Sequence, residues 1–90
     1  MYNRIITLGQ TVITPNALNT LHPEDVKDAL VRHARGDWGD CGKEDAAENE
    51  FAVGKHLRLF SVYHDRNGEK FWIITEADRN STSILLPEDY

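Results

Sequence analysis

The sequence predicts a single α+β domain, with two or three N-terminal helices packed on a three- to four-stranded antiparallel sheet that forms a C-terminal meander. Three observations support this prediction: a chain of only 90 residues, two helical patterns in the first half that each begin at a proline, and three β-rich segments in the last third. Ninety residues leave room for one compact domain, residues 1–90, with a modest core.

Composition and charge exclude several classes of protein. Fifteen acidic against ten basic residues give a formal charge of -5, which does not favour direct binding to nucleic acid. One cysteine excludes an intramolecular disulfide and a multi-thiolate metal site, and we expect neither a metal nor a cofactor. No apolar run approaches the roughly 20 residues that span a bilayer, and no signal-peptide pattern is present. We therefore expect a cytoplasmic protein that has no membrane contact.

The first third of the chain predicts one strand and two helices. β-Branched residues dominate residues 4–13, which predict one strand, or two short strands interrupted at Gly9. Thr14 and Pro15 are typical of an N-cap and first helical position. Pro23 begins a second helix, in which apolar side chains recur at positions i, i+3, i+4 and i+7: Val26, Ala29, Leu30 and His33.

A glycine-rich loop and a third helix follow. Residues 36–42 hold three glycines and two aspartates around one tryptophan, a composition that predicts a loop. Residues 43–53 predict a helix that ends at Gly54. Its apolar side is thin and consists of Ala47, Phe51 and Val53. We expect this helix to lie on the surface and to carry much of the negative charge.

The last third predicts an antiparallel meander. An Asn-Gly pair within residues 65–68 separates two alternating, aromatic-rich runs, residues 57–64 and 69–75, which is the strongest hairpin signal in the chain. Residues 81–86 predict a third strand. Both faces of these strands carry apolar residues, so we expect helices on one face. The N-terminal strand, a loop or a partner should cover part of the other.

The loop at residues 36–42 contains the first candidate binding residues, Asp37, Trp38 and Asp40. The carboxylates suit a divalent cation or a basic partner, and the indole suits an interface anchor. In the structural interpretation, Trp38 fills the core and the two aspartates satisfy turn backbone groups. A calcium loop needs more oxygen ligands at alternate positions, so we predict no metal here.

The polar segment at residues 75–82 suggests a catalytic set that includes His33. In this hypothesis Glu76 is a base, Arg79 a phosphate clamp and Thr82 a positioning hydroxyl, as phosphodiester cleavage requires. The structural interpretation makes His33 a hydrogen-bonded core residue.

The same segment also has candidate binding residues, Asp78 and Arg79. Its structural interpretation is a turn with an Asx motif at Asp78 and a structural Arg79–carboxylate pair, with Asp37 or Asp40 as the partner. Acidic neighbours should raise the pKa of Cys41, so we do not expect it to be a nucleophile.

Two blocks carry a resemblance to a known family: GDWGD at residues 36–40, and WIITEADR at residues 72–79, which runs on into LLPEDY. They resemble a family of small bacterial proteins found on plasmids, phages and integrated elements, over residues 8–90. The resemblance implies a mobile-element setting, in which accessory proteins serve host takeover, defence evasion or toxin–antitoxin conflict.

The architecture is also similar to that of the barnase- and RelE-like ribonuclease toxins, which place helices before an antiparallel sheet. That similarity implies catalytic groups on the sheet, here Tyr63, Glu76, Arg79 and Thr82. The sequence departs from those toxins because it is acidic and has no clear histidine late in the sheet.

Two functional hypotheses follow, and a third remains open. The favoured one is a non-enzymatic interaction protein whose acidic surface binds a basic, nucleic-acid-handling partner, with residues 36–42 and the turn at Asp78 and Arg79 near the contact. Self-association is the other partner class that we expect. The alternative is a ribonuclease-type enzyme, and a structural, oligomer-forming module explains a two-faced sheet equally well.

Overall fold

The computed structural model describes residues 5–90, and it confirms an α+β fold in which helices precede most of the sheet. The elements are β1 (Gln10–Ile13), α1 (Pro15–Thr20), α2 (Pro23–Ala34), α3 (Lys43–Lys55), β2 (Leu59–His64), β3 (Lys70–Thr75), β4 (Ser81–Leu85) and a closing 3-10 turn (Pro87–Asp89). Within residues 5–90, no helix has the length and apolar character needed to cross a membrane.

The sheet is mixed, which corrects the expectation of a purely antiparallel one. Its strand order is β1-β4-β3-β2, with antiparallel pairing from β2 through β3 to β4. The N-terminal strand β1 joins the edge of the sheet, parallel to β4, and does not cover a face. Parallel neighbours need a long crossover connection, which the three helices and the β2–β3 hairpin provide. The predicted hairpin is confirmed.

The first strand is shorter than the sequence predicts. It begins at Gln10, because Gly9 adopts a left-handed backbone conformation with φ 65°. A Cβ at Gly9 would overlap the backbone of Asn80, so the chain passes close to the β3–β4 turn at this point. Arg4, the first residue of the predicted strand, lies outside the described residues.

The predicted starts of α1 and α2 are confirmed. The Thr14 hydroxyl accepts a hydrogen bond from the backbone N–H of Ala17 (3.1 Å), and Pro15 occupies the first turn of α1. α2 begins at Pro23, and Gly36 follows its end with φ 81°. That left-handed conformation is typical of a glycine just after the end of a helix.

α3 differs from its prediction in both its end and its orientation. The helix runs through Gly54 and ends before His56, which takes the left-handed conformation (φ 54°). Its buried residues are Asn49 and Ala52, whereas Phe51 is 61 % exposed. Successive helical residues are about 100° apart, so position 51 lies about 200° from position 49 and points away from the sheet.

The core lies on the helix side of the sheet. One cluster joins α1 and α2 to the sheet: Ala17, Leu21, Ala29, Tyr63, Phe71, Ile73, Ile84 and Leu86. A second cluster contains Ile6, Trp38, Ala52 and Leu59 and connects α3 to the start of β2. On the other face, the ring of Trp72 packs against Phe60 and Tyr90 at 5.0 and 5.7 Å between centroids.

The outer edge of β2 is closed by two other parts of the chain. The backbone N–H of Asp40 donates to the carbonyl of Val62 (2.6 Å), and the N–H of Val62 donates to the carbonyl of Trp38 (3.2 Å). The amide side chain of Asn49 donates to the carbonyl of Phe60 (2.6 Å) and accepts from its N–H (3.0 Å). The loop and α3 thus take the place of a fifth strand along this edge.

Candidate functional site

His33 lies at the centre of a buried chain of hydrogen bonds that crosses the sheet. Its side chain is fully buried, with Nδ1 2.6 Å from the hydroxyl of Ser61 and Nε2 2.8 Å from that of Thr75. The Thr75 and Thr82 hydroxyls are 2.8 Å apart, and Thr82 donates to the carbonyl of Leu8 (2.8 Å). The chain therefore connects β2 to the segment that leads into β1.

Which group donates in each of these hydrogen bonds follows from the acceptor at the end of the series, the carbonyl of Leu8. A carbonyl only accepts, so the single hydroxyl proton of Thr82 points to Leu8, and Thr75 must donate to Thr82. His33 then carries its proton on Nε2 and donates to Thr75, while Ser61 donates to Nδ1. Burial lowers the pKa of His33 to about 4, so the ring is neutral at neutral pH.

The four residues of the predicted catalytic set do not meet in an open cleft. His33 and Thr82 are joined through Thr75, but both are fully buried, and a phosphodiester cannot reach them in this conformation. The Glu76 carboxylate lies at the surface, 3.3 Å from the guanidinium of Arg58. The arrangement matches the structural interpretation of His33.

Arg79 binds backbone carbonyls, and the predicted ion pair with Asp37 or Asp40 is not formed. One guanidinium nitrogen donates to the carbonyl of Leu57 (2.6 Å), and the other donates to that of Ala52 (3.1 Å). The first nitrogen also donates to the carbonyls of Glu76 and Ala77 in the β3–β4 turn. Ala52 lies in the last turn of α3 and Leu57 lies two residues beyond its end, so Arg79 fixes the β3–β4 turn against the end of this helix.

The Asx motif predicted at Asp78 is confirmed. Its side-chain oxygen accepts a hydrogen bond from the backbone N–H of Asn80 (2.9 Å). Asp78 is exposed, but the guanidinium next to it in sequence already donates to four carbonyls. The turn is therefore a structural junction.

The loop at residues 36–42 combines a buried tryptophan with two exposed aspartates. The Asp37 carboxylate accepts two hydrogen bonds from the guanidinium of Arg32 (2.8 and 3.2 Å), which lowers the pKa of Asp37. Asp40 lies 2.8 Å from Nδ1 of His64. Arg32 and His64 thus lie beside the two carboxylates, and Arg79 donates to backbone carbonyls elsewhere.

Trp38 has the position that the structural interpretation predicts. Its ring is buried, and it meets the ring of His33 edge to face, with centroids 5.8 Å apart. The indole N–H donates to the carboxylate of Glu50 (2.8 Å), which holds the loop against α3. Nearby Cys41 has its pKa raised by burial and by Asp45 and Asp40, in agreement with the sequence prediction.

The loop contacts β2 itself, whereas the Arg79 turn contacts the segment that precedes β2. Gly39 is beside Val62, whereas Arg79 reaches Leu57. Five residues of extended chain correspond to about 16 Å. The two candidate regions therefore do not form one site.

A groove between α2 and the β2–β3 hairpin was missed by the sequence analysis. It has a volume of about 260 Å³ and is lined by Asp25, Asp28, Ala29, Arg32, Tyr63, His64 and Phe71. Three of its polar side chains are held in pairs: Asp25 with Arg66, Arg32 with Asp37, and His64 with Asp40. The polar spacing of residues 25, 28 and 32 along α2 is the signal that predicts such a face.

The acidic charge of the chain is concentrated in one surface. Residues 37–50 contain six acidic residues and one lysine, while the rest of the chain contains nine acidic and nine basic residues. The net charge of -5 therefore belongs to the loop and the first part of α3. Phe51 follows directly, with 61 % of its surface exposed and the Lys55 ammonium 5.9 Å from its ring centroid.

Neither a metal cluster nor a known relative identifies a site. Among residues 5–90, no three His, Cys, Asp or Glu side chains are grouped so that they could hold a metal ion. Comparison with protein-family models, curated proteins and solved structures finds no match. The acidic surface that ends at Phe51 is therefore the candidate site that charge and exposure support best.

Proposed function

We propose that this protein is a small interaction protein whose acidic surface binds a partner protein with a basic surface. The acidic surface is defined as the loop at residues 36–42 and the outer side of α3. One observation carries the proposal: this continuous, exposed surface holds most of the net negative charge of the chain and also exposes the ring of Phe51.

The two ends of the acidic surface are physically joined. The hydrogen bond from Trp38 to Glu50 fixes the loop against α3, and the pairing of Asp40 with Val62 fixes it to the sheet. The surface is thus preorganised, which reduces the entropy that would be lost on binding.

The outer side of α3 has the composition of a docking helix. Glu44, Ala47, Glu48 and Phe51 follow the i, i+3, i+4, i+7 spacing that places them on one side, and all four are exposed. An exposed aromatic ring supplies apolar area for a pocket on the partner, and the carboxylates around it supply long-range attraction. The ring provides affinity, and the charges provide fast association and choice of partner.

The complementary partner has a basic surface, which is typical of proteins that handle nucleic acid. The resemblance of the GDWGD and WIITEADR blocks to mobile-element proteins supports the same class of partner. An accessory protein of this kind would act in the bacterial cytoplasm on a nucleic-acid-handling host system.

The proposal is tested by comparing variants of the acidic surface in capture and affinity measurements. The immobilised protein is exposed to a bacterial lysate, the captured proteins are identified, and their dissociation constants are measured by calorimetry at increasing salt. We expect a basic partner whose binding weakens about 10-fold in Phe51→Ala, and less in the double variant Glu44→Gln/Glu48→Gln. Binding should also weaken with ionic strength.

Two exposed residues on other elements serve as matched controls. Val31→Ala removes an exposed apolar side chain from α2, and Glu69→Gln removes an exposed carboxylate from the hairpin. Both controls should bind like the unaltered protein. A partner whose affinity is the same at all salt concentrations and in all variants would contradict the proposal.

A further inference from the structure

The outer edge of β1 has backbone groups that face away from the sheet. The N–H groups of Gln10 and Thr14 donate to the carbonyls of Asn80 and Ile84 (3.0 Å each), so alternate residues of β1 face β4. Thr11 and Ile13 lie between them and direct their N–H and C=O groups outward. Within the described residues 5–90, no strand lies along that side, because β1 is the last strand in the sheet order.

The strand at this edge is short, but it lacks charged side chains, proline and bulges. Proteins blunt open edges with charged side chains, proline or bulges, and the four residues of β1 are Gln, Thr, Val and Ile. The whole of residues 5–23 contains no Asp, Glu, Lys or Arg. Two carboxylates contact this region, and both are held by hydrogen bonds. Asp89 accepts from the side chains of Thr14 (2.6 Å) and Asn16 (3.1 Å), and Asp65 accepts from the backbone N–H of His22 (3.0 Å).

Apolar groups lie on both sides of the same edge. Val12 is 46 % exposed, and Leu18 in the adjoining helix α1 is 64 % exposed. A hollow of about 130 Å³ beside the strand has an apolar lining: Ile13, Ala17, Leu18, Leu21, Pro23 and Val26. The edge therefore combines unpaired backbone groups with uncharged, apolar surroundings.

We propose that a second copy of this chain binds along this edge, with its own β1 antiparallel to the first across a two-fold axis. Thr11 of each copy would exchange N–H···O=C bonds with Ile13 of the other, and Val12 would lie on the axis opposite its own counterpart. Two four-stranded sheets would then join as one.

A second copy fits this edge because the edge is self-complementary. Thr11 and Ile13 supply two donors and two acceptors, which is what the same strand in reverse requires. Two chains that each carry a charge of -5 repel one another over most of their surfaces. The uncharged segment at residues 5–23 is where two copies can meet without bringing acidic groups together.

The first test measures molecular mass by sedimentation across a range of concentrations. The dimer has twice the monomer mass of 10.3 kDa. Thr11→Pro should give a folded monomer because it removes an outward donor and leaves the bonds to β4 intact. Val12→Lys should do the same by placing two ammonium groups together at the axis. Val31→Lys, at a valine of similar exposure on α2 (47 %), should remain dimeric.

The second test examines the register with cysteine variants in a Cys41→Ser background, oxidised with glutathione disulfide. Val12→Cys should form a disulfide between copies, because residue 12 faces itself across the axis at a distance that a disulfide spans. Thr11→Cys should not, because residue 11 faces residue 13. Circular dichroism confirms that each variant is folded.

Three outcomes would overturn the proposal. One is a monomer at every concentration, whether or not it binds an extended peptide of another sequence. Another is a dimer that survives both Thr11→Pro and Val12→Lys. The third is equal cross-linking of the Val12→Cys and Thr11→Cys variants. None of these results depends on Phe51 or on the acidic surface, so this inference and the proposed function fail separately.

Discussion

The two outer edges of the sheet differ in whether other parts of the described chain cover them. Along β2, Val62 pairs with the loop at residues 36–42, and Phe60 pairs with the amide of Asn49 in α3. Along β1, Thr11 and Ile13 have no such cover within the described chain. The comparison shows that the acidic surface has a structural basis, because the segment that carries the charge is the one that closes an edge.

The largest expected effect comes from opening the closed edge at Gly39. This glycine has φ 73°, and a Cβ there would overlap the carbonyl oxygen of Val62. Gly39→Ala should lower the free energy of unfolding by about 4 kcal/mol, since left-handed strain and steric overlap add. Gly68→Ala is the matched control, because Gly68 has φ 82° with nothing within 4 Å. Gly68→Ala should lower the free energy of unfolding by only about 1 kcal/mol. If urea unfolding gives equal losses for the two variants, Gly39 has no special role in closing the β2 edge.

The next effect concerns His33, whose hydrogen bonds extend from β2 towards β1. Its pKa falls from 6.5 in the unfolded chain to about 4 in the fold, mainly through burial. Between these values the unfolded chain binds more protons, so the free energy of unfolding decreases as the pH falls from 6.5 to 4. The total decrease is about 3 kcal/mol.

The His33→Leu variant tests this interpretation by urea unfolding at pH 7, 5.5 and 4. At pH 7 the variant should be about 3 kcal/mol less stable, because Ser61 and Thr75 lose their buried partner. Its stability should then change little between pH 7 and 5.5, and the decrease that remains towards pH 4 comes from aspartates whose pKa the fold lowers, such as Asp25 and Asp37. A variant that keeps the full pH dependence would show that another group causes it.

The smallest of the three effects compares one residue from each edge. Asn49→Ala removes both hydrogen bonds to the backbone of Phe60 and should cost about 2 kcal/mol. Gln10→Ala shortens an exposed side chain on β1 and should change stability by less than about 0.5 kcal/mol. If thermal unfolding shows equal losses of stability for the two variants, the claim that the β2 edge is closed and the β1 edge is open is wrong.

Local signals predicted the parts of the fold that depend on neighbouring residues. The starts at Pro15 and Pro23 and the hairpin around residues 65–68 follow from capping and turn chemistry that a few residues determine. The burial of Trp38 and the Asx motif of Asp78 followed from the same kind of argument.

Features that depend on distant contacts were not predictable in this way. The pairing of Gln10 with Ser81 joins residues from opposite ends of the chain, and no periodicity in either segment specifies it. Phe51 was placed on the inner side of α3 because it is apolar. The helix is in fact oriented by Asn49, a polar residue that finds a backbone partner.

The partners of Arg79 illustrate the same limit within the candidate site. The sequence shows which carboxylates are available, and on that basis Arg79 was expected to pair with an aspartate. Its actual partners are carbonyl groups, four in all. Every residue has such a group, so which of them Arg79 can reach is known only once the end of α3 is in place.

The position of β4 between β1 and β3 has a consequence for how the protein is made. Gln10 is synthesised 71 residues before Ser81, its partner in the sheet. While the chain emerges from the ribosome, β1 therefore has no strand to pair with on either side. We expect the sheet to assemble only after translation has passed β4, and the long separation in sequence should make that step slow. A ribosome that stalls before residue 81 would thus hold an incomplete sheet that lacks an interior strand.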